Sequence, residues 1–179
     1  GDGYSNAGDP FPDDATQWSD RDGDNRGDNA SGNNPDAFPD DTSQWKDSDG
    51  DGYGDNPGGN NGDAFPNDPT QWNDTDGDGY GDNYENASWD TYRPASWPGL
   101  LPSSANQPDV FPLDRTQQTD TDGDWIGDNP NSDRADACPN DWGDSQYDRL
   151  GCPDTDSDGY SDPTPGWPST TDCFGADAF

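Results

Sequence analysis

Aspartates at alternating positions are the residues of this chain whose type and spacing could do chemistry. In the stretch Asp74–Asp82, aspartates occupy loop positions 1, 3, 5 and 9, Gly79 occupies position 6 and Tyr80 occupies position 7. Alternate side chains can converge on one point, the carbonyl at position 7 can add an oxygen, and glycine permits the sharp turn around an ion. The spacing predicts a site for a hard, oxygen-seeking cation, and calcium takes about six to eight such ligands.

The same loop occurs five times, with starts at Asp20, Asp47, Asp74, Asp120 and Asp154. The first two steps are 27 residues each, the third is 46 and the fourth is 34, so the third step contains one repeat plus an insertion. A fixed period of this length is typical of repeat proteins, in which each unit contacts its neighbours. The candidate ligands at positions 1, 3, 5 and 9, with the backbone carbonyl at position 7, are Asp20, Asp22, Asp24, Arg26 and Asp28; Asp47, Asp49, Asp51, Tyr53 and Asp55; Asp74, Asp76, Asp78, Tyr80 and Asp82; Asp120, Asp122, Asp124, Ile126 and Asp128; and Asp154, Asp156, Asp158, Tyr160 and Asp162.

A second motif, Asp-x-Phe-Pro, runs in phase with the loops, and a cysteine replaces its phenylalanine in one copy. Each loop supplies one or two oxygens fewer than calcium needs, so the leading aspartate of the next motif is expected to close the site. An EF-hand would use a glutamate at position 12, and only the third loop has one, Glu85. The predicted closing ligands are Asp36, Asp63, Asp109, Asp136 and Asp177. We expect about five or more calcium ions, at least one for each full repeat.

Another aspartate stands five residues after each leading one, and a Thr/Ser-Gln-Trp sequence follows it. The Gln-Trp pair weakens to Gln117-Gln118 and Gln146-Tyr147 in the last two copies. This aspartate has two interpretations, which the sequence leaves open: ligand of a second ion, or turn residue that bonds its own backbone. The five aspartates are Asp14, Asp41, Asp68, Asp114 and Asp141.

The composition excludes an ordinary hydrophobic core. Only 23% of the 179 residues are apolar, against about 45–50% in globular proteins, and 40 acidic residues stand against 7 basic ones, for a formal charge of −33. Without calcium, both order and disorder are open; with calcium, order is expected, and chelation should unfold the chain. The charge excludes nucleic acid as a partner, and no apolar run is long enough to span a membrane. The absence of histidine disfavours metals that prefer imidazole.

The predicted fold class is mostly irregular, with little regular secondary structure, because no helical or alternating pattern continues for more than a few residues. Tandem calcium-organised repeats are expected to form an elongated rod. Residues 1–83 hold repeats 1–3, the first of them partial. Residues 84–108 form an insertion, and residues 109–179 hold repeats 4–5, the cysteines and the start of a further unit.

The segment Pro69–Asp82 resembles the thrombospondin type 3 repeat and the related short repeats of prokaryotic surface proteins, because it reads like their P-x-Q-x-D-x-D-x-D-G-x-x-D segment. The stretches Cys138-Pro139 and Gly151–Gly159 look like the cysteine-bearing versions. The resemblance covers nearly all residues outside the insertion. It implies a calcium-replete protein in which the ions form the effective core. The first three units depart from the family pattern, since they carry phenylalanine in place of cysteine.

The resemblance also bears on the three cysteines. In a secreted context, the cysteine spacing of the repeats that this chain resembles favours a Cys138–Cys152 disulfide, with Cys152–Cys173 as the alternative. The remaining thiol would pair elsewhere in the array or in another chain. N-glycosylation sequons begin at Asn29, Asn73 and Asn86, and Asn86 is the favoured acceptor.

The aromatic residues have two interpretations. In the first, a phenylalanine packs within or between units beside each ion, for example Phe38 on Trp45 or Tyr53. In the second, exposed tryptophans bind sugars or a neighbouring subunit. The insertion is the most apolar segment, and it either folds over a neighbouring unit or, as we favour, makes a lateral contact for assembly or adhesion. Its apolar residues include Trp89, Tyr92, Trp97, Leu100 and Leu101.

An enzyme is not expected, since without histidine and with one lysine and one glutamate only aspartate pairs remain, and these serve better as ligands. The predicted function is that of an extracellular or cell-surface, calcium-stabilised structural repeat protein: a stalk, a rod, or a subunit of a filament or fibril. The alternative is an adhesin or a carbohydrate- or protein-binding module that uses calcium for shape and tryptophan for contact. Both chain ends fall within a repeat, which favours self-assembly or a longer array. Glycans are the further expected partners.

Overall fold

The computed structural model describes residues 3, 5, 7–102, 104–164 and 166. Across these residues the regular secondary structure is one 3-10 helix, Ala87–Thr91, together with four isolated parallel β-bridges. Asn86 caps the helix, since its side chain accepts a hydrogen bond from the backbone N–H of Ser88. The predicted mostly irregular fold class is therefore confirmed. No helix in this part of the chain is long and apolar enough to cross a membrane.

The chain forms two compact units. The first comprises the described residues of Gly1–Asn73 and Leu101–Asn106, and the second comprises those of Asp74–Leu100 and Gln107–Phe179. The segment 84–108, which the sequence marks as an insertion, thus contributes to both units.

Backbone hydrogen bonds of one kind recur where the sequence motifs recur. In the first unit, the N–H of Asp36 donates to the carbonyl of Gly27 at 2.9 Å, and the N–H of Asp63 donates to Gly54 at 2.8 Å. In the second unit, Asp109 donates to Gly81 and Asp136 donates to Gly127, both at 2.9 Å. Each bond brings the leading aspartate of an Asp-x-Phe-Pro motif to the end of the loop before it. The isolated bridges lie at the same places: Gly27–Pro35, Gly54–Gly62, Gly81–Pro108 and Gly127–Ala135.

The buried side chains are mostly polar. Of the described residues in the first unit, Ala105 is the one buried apolar residue, whereas Gln17, Gln44 and Gln71 are each 1% exposed. The second unit buries a few more apolar residues: Tyr84, Val110, Pro112 and Cys152. A core this small cannot by itself offset the conformational entropy lost on folding.

Glutamine takes the place that an apolar side chain holds in an ordinary core. The Oε1 atom of Gln44 accepts a hydrogen bond from the N–H of Asn56 at 3.1 Å. Its Nε2 atom donates to the carbonyls of Asn56 at 2.8 Å and Asn60 at 2.9 Å. A Cβ atom on Gly54 would lie 2.0 Å from Gln44 Oε1, so only glycine fits there. The hydrogen bonds of Gln44 therefore link the Gln-Trp segment to residues 56–60, which follow the acidic loop. Gln17 and Gln117 make corresponding bonds to Asn29 and Asn129.

One buried arginine connects the part of the insertion in the second unit with the repeat that follows it. Arg93 is 8% exposed, and its guanidinium carbon lies 4.1 Å from the ring centre of Tyr84 and 5.6 Å from that of Trp97. It donates hydrogen bonds to the carbonyl of Pro98 and, at 3.5 Å, to the carbonyl of Asp109. The arginine thus links the insertion to the motif that resumes the repeat.

Candidate metal sites

Five groups of three aspartates could each hold a metal ion. In each group, one carboxylate oxygen from loop positions 1, 3 and 5 lies within 4.8 Å of the corresponding oxygens of the other two. The first four groups are half-buried, and the fifth is more exposed. The groups are Asp20, Asp22 and Asp24; Asp47, Asp49 and Asp51; Asp74, Asp76 and Asp78; Asp120, Asp122 and Asp124; and Asp154, Asp156 and Asp158.

The backbone of each loop folds around the aspartate at position 1. In the third loop, the two oxygens of Asp74 accept hydrogen bonds from the N–H groups of Gly77 at 2.7 Å and Gly79 at 2.9 Å. Both glycines have a positive φ, 79° and 95°, which glycine adopts without strain. Asp78 accepts from the N–H of Tyr80 at 2.8 Å. These bonds turn the aspartates at positions 1, 3 and 5 towards one another.

The aspartates predicted to close the sites are brought up to the loops. Asp36, Asp63, Asp109 and Asp136 are between 1% and 6% exposed. Each uses Oδ1 to accept the N–H two residues later, as Asp63 does from Phe65 at 2.6 Å. Beside the fourth loop, a Cβ atom on Gly151 would lie 2.3 Å from Asp136 Oδ1 and 3.0 Å from Asp124 Oδ2, so the closing aspartate and a loop aspartate approach the same point.

Many of these carboxylate oxygens are buried without a hydrogen-bond partner. They belong to loop positions 3 and 5 and to the closing aspartates, the positions at which the spacing predicts metal ligands. A buried carboxylate oxygen without a partner is costly, and a bound cation would remove that cost. The donor set therefore fits a hard cation. The atoms are Oδ2 of Asp22, Asp24, Asp36, Asp49, Asp51, Asp63, Asp122 and Asp136, and both oxygens of Asp76.

The electrostatics of the closing aspartates agree with this geometry. Burial, with the nearby carboxylates of Asp51 and Asp49, raises the pKa of Asp63 to about 6. Burial, with the carboxylates of Asp78 and Asp76, raises the pKa of Asp109 to about 8. In each case the neighbouring charges belong to the loop before the closing aspartate, as the predicted pairing of loop and motif requires.

The aspartates at position 9 have partners within the protein. In the third loop, Asp82 accepts from the N–H of Thr75 at 3.0 Å and from its hydroxyl at 2.6 Å. These carboxylates brace position 2 of the loop, and metal coordination by them stays a prediction. Metal coordination by the backbone carbonyls at position 7 also stays a prediction. The residues at this position donate their N–H groups to the aspartate at position 5. The backbone N–H at position 2 donates likewise to Asp28, Asp55, Asp128 and Asp162 in the other loops.

The last loop differs from the others. Its predicted closing ligand, Asp177, lies outside the described residues, as does Cys173. Gln146 is exposed, and Ser145 is the buried residue there, unlike in the earlier Thr/Ser-Gln-Trp copies. The structure contains the disulfide Cys138–Cys152, the pairing that the resemblance to cysteine-bearing repeats favours.

The second aspartate acts as a turn residue in the first four motifs, at Asp14, Asp41, Asp68 and Asp114. Asp14 Oδ1 accepts hydrogen bonds from the N–H of Thr16 at 2.9 Å and from its hydroxyl at 2.6 Å. Asp41 makes the same pair of bonds with Ser43. Bonds from the hydroxyl and the backbone N–H lower the pKa of both carboxyl groups. The turn interpretation is thus realised, while coordination of a second ion stays a prediction.

The aromatic contacts link a loop to a later motif. Tyr53, at position 7, stacks on Trp72 with ring centres 4.9 Å apart, and the guanidinium of Arg26, at the equivalent position, lies 5.5 Å from the ring centre of Trp45. The suggested packing of Phe38 on Trp45 or Tyr53 is thus replaced by partners 19 residues apart. Sequence reasoning missed both this pairing and the buried glutamines, although the regular recurrence of Gln in the motif was a usable signal.

Comparison of the chain with models of protein families found no match, and comparison with curated proteins found no similar sequence.

Proposed function

We propose that this is an extracellular structural protein whose repeats fold around bound calcium ions. The observation that carries the proposal is the meeting of buried, unpartnered carboxylate oxygens from the first, second and fourth acidic loops with that of the aspartate that leads the following motif. With Ala105 as its one buried apolar residue in the described chain, the first unit needs another source of stability. Ion coordination supplies it, because the free energy of metal binding becomes free energy of folding.

Two ion pairs of the described residues lie outside the aspartate triplets that could hold a metal ion. They join Arg21 to Asp40 and Lys46 to Asp55, and neither includes an aspartate at loop position 1, 3 or 5. Calcium suits the sites because the converging side-chain ligands are all carboxylates and because it tolerates crowded, irregular coordination. Magnesium prefers to keep its own water, and metals that prefer imidazole find no histidine in the sequence.

A rod, a stalk, or a subunit of a filament or fibril is the form that this arrangement supports best. Each ion would tie an acidic loop to the start of the next motif, and the in-phase repeat of loop and motif would then give a stiffened series of units. The resemblance to thrombospondin type 3 repeats agrees with this function. The disulfide fits an oxidising compartment, and calcium affinities of about 10⁻⁴–10⁻³ M suit modules outside the cell.

Calcium removal tests the proposal. The calcium-loaded protein is treated with a chelator, and its near-ultraviolet circular dichroism and its radius of gyration are measured. We expect the dichroism to collapse and the radius to approach about 45 Å, the value for an unfolded chain of this length. Calcium chloride should restore both signals, and magnesium chloride serves as the control. Unchanged signals after complete chelation would overturn the proposal.

Electron microscopy with and without calcium tests the extended form separately. Rods or filaments that collapse on chelation are expected. Globular particles that bind glycans would instead favour the second candidate function, an adhesin or a carbohydrate- or protein-binding module. The observation that favours this candidate is an open cleft in the second unit, lined by the aromatic residues Tyr92, Trp97, Phe111 and Trp125.

A further inference from the structure

The second unit contains an open aromatic cleft with a volume of about 670 Å³. Tyr92 and Trp97 of the insertion line one part of it, and Phe111 and Trp125 of the repeat line another. A cleft of this size is within the range of ligand sites, about 300–1,000 Å³, which combine apolar walls with a few polar groups.

Trp125 is the central residue of this cleft. Its ring centre lies 5.4 Å from that of Tyr92 and 6.3 Å from those of Trp97 and Phe111. Tyr92 remains 63% exposed and Leu113, also in the lining, 53% exposed, so the cluster is open to solvent. The rings therefore present apolar surface that no described part of the chain covers.

The backbone at Trp125 is in a conformation that a bulky residue rarely adopts. Trp125 occupies position 6 of the loop 120–128 with φ of 72°, whereas Gly52 and Gly79 occupy that position in the second and third loops, both with φ of 95°. A bulky residue in the left-handed region is strained. This strained conformation of Trp125 places the indole ring of an acidic-loop residue in the lining of the cleft.

The rim of the cleft supplies both hydrogen-bond acceptors and donors. The exposed side chains of Asp114 and Arg134 lie at the lining, and neither forms an ion pair with a described residue. An apolar partner would desolvate both charges without bonding them. An anionic partner would be repelled by a chain with a formal charge of −33. A sugar ring suits both features, because its C–H face can stack on an aromatic face while its hydroxyls bond the charged rim.

We propose that this cleft binds a neutral saccharide and that calcium in the loop 120–128 holds Trp125 in the binding position. The second part rests on the proposed function. The N–H of Trp125 donates to Asp120 Oδ2 at 2.9 Å, and the N–H of Ile126 donates to Asp124 Oδ1 at 2.8 Å. A cation shared by Asp120 and Asp124 would fix the backbone on both sides of the indole ring.

The test is calorimetric titration of the calcium-loaded protein with cellopentaose, mannopentaose, galactopentaose and chitopentaose. Binding of at least one is expected, and Tyr92→Ala and Trp125→Gly should each weaken it by about tenfold or more. Trp125→Gly restores the residue found in the second and third loops, so it removes the ring without introducing a foreign loop residue. Trp142→Ala is the matched control, because Trp142 is 58% exposed and does not line the cleft.

Each outcome decides one part of the proposal. A protein that binds its calcium but none of the four saccharides overturns the saccharide site, and so does binding that Trp125→Gly leaves unchanged. Equal saccharide binding before and after chelation overturns the coupling alone. Failure to bind calcium in a separate titration overturns the proposed function instead. Self-association of the protein that Tyr92→Ala abolishes would assign the cleft to a second copy of this chain and overturn the saccharide site.

Discussion

Replacement of Gln44 by alanine tests whether a buried amide holds the first unit together. Gln44 is 1% exposed and makes three hydrogen bonds, of 3.1, 2.8 and 2.9 Å, to the backbone of Asn56 and Asn60. The truncation leaves one N–H and two carbonyls without their partner. At about 1–1.5 kcal/mol for each bond, and with some packing lost, we expect the unit to lose about 3–5 kcal/mol.

Hydrogen exchange followed by mass spectrometry is the assay, because it reports the opening of one segment even when the chain does not unfold in a single step. In the calcium-loaded protein, a loss of about 4 kcal/mol should speed exchange of peptides covering residues 43–62 by roughly a thousandfold. Gln146→Ala is the control. Its side chain is exposed, and the change should stay within about 0.5 kcal/mol.

Gln44→Glu separates the hydrogen bonds from the packing. The substitution keeps the shape of the side chain but replaces the Nε2 donor by an acceptor that faces the carbonyls of Asn56 and Asn60. It should destabilise the unit although it leaves no cavity. If exchange in Gln44→Ala is no faster than in the control, the glutamine is not a core residue. If Gln44→Glu exchanges like the unsubstituted protein, the hydrogen-bond explanation is wrong.

Three further predictions concern the ions and the disulfide. Asp63→Asn should weaken one calcium site by about tenfold or more, because it removes a buried carboxylate from the ligand set. Asp13→Asn, at an exposed position, is the control. Equal calcium-binding isotherms for the two variants would contradict the assignment of Asp63 as a ligand. Burial raises the pKa of Asp109 from 3.8 to about 8, so the metal-free fold loses stability as pH rises from about 4 towards 8, and calcium must displace a proton at pH 7. Calorimetry in buffers of different ionisation enthalpy should therefore show proton release that Asp109→Asn reduces, and a binding enthalpy independent of buffer would refute this. Cys138→Ser should lower the free energy of unfolding of the second unit by about 3 kcal/mol, because the Cys138–Cys152 bond spans a sequence separation of 14. The measurement is urea unfolding with calcium present. Unfolding curves that coincide for the variant and the unsubstituted protein would contradict this value.

Local features of the chain could be predicted from the sequence. The acidic loops, the aspartate triplets and the irregular fold class follow from the spacing of aspartate and glycine, since a loop such as 74–82 is shaped by hydrogen bonds between residues two to seven positions apart. The turn around Asp14 is equally local, because it is closed by Thr16, two residues later.

Other features depended on which segments meet. Gln44 recurs at a fixed place in the motif, but its burial depends on the backbone of Asn56 and Asn60, which lies against it in the folded chain. The sequence shows Trp125 only as a departure from the glycine found at the same position in the second and third loops. Its contact with Tyr92, some thirty residues earlier, is known only from the structure.

The sequence by itself determined where cations can bind and that apolar burial could not stabilise this chain, because charge and spacing are properties of the chain alone. Tertiary structure decided which carboxylate faces which loop, which polar side chains replace the hydrophobic core, and where aromatic surface stays open. The physical reason is that burial and long-range hydrogen bonding depend on the return of distant segments, which a local pattern does not specify.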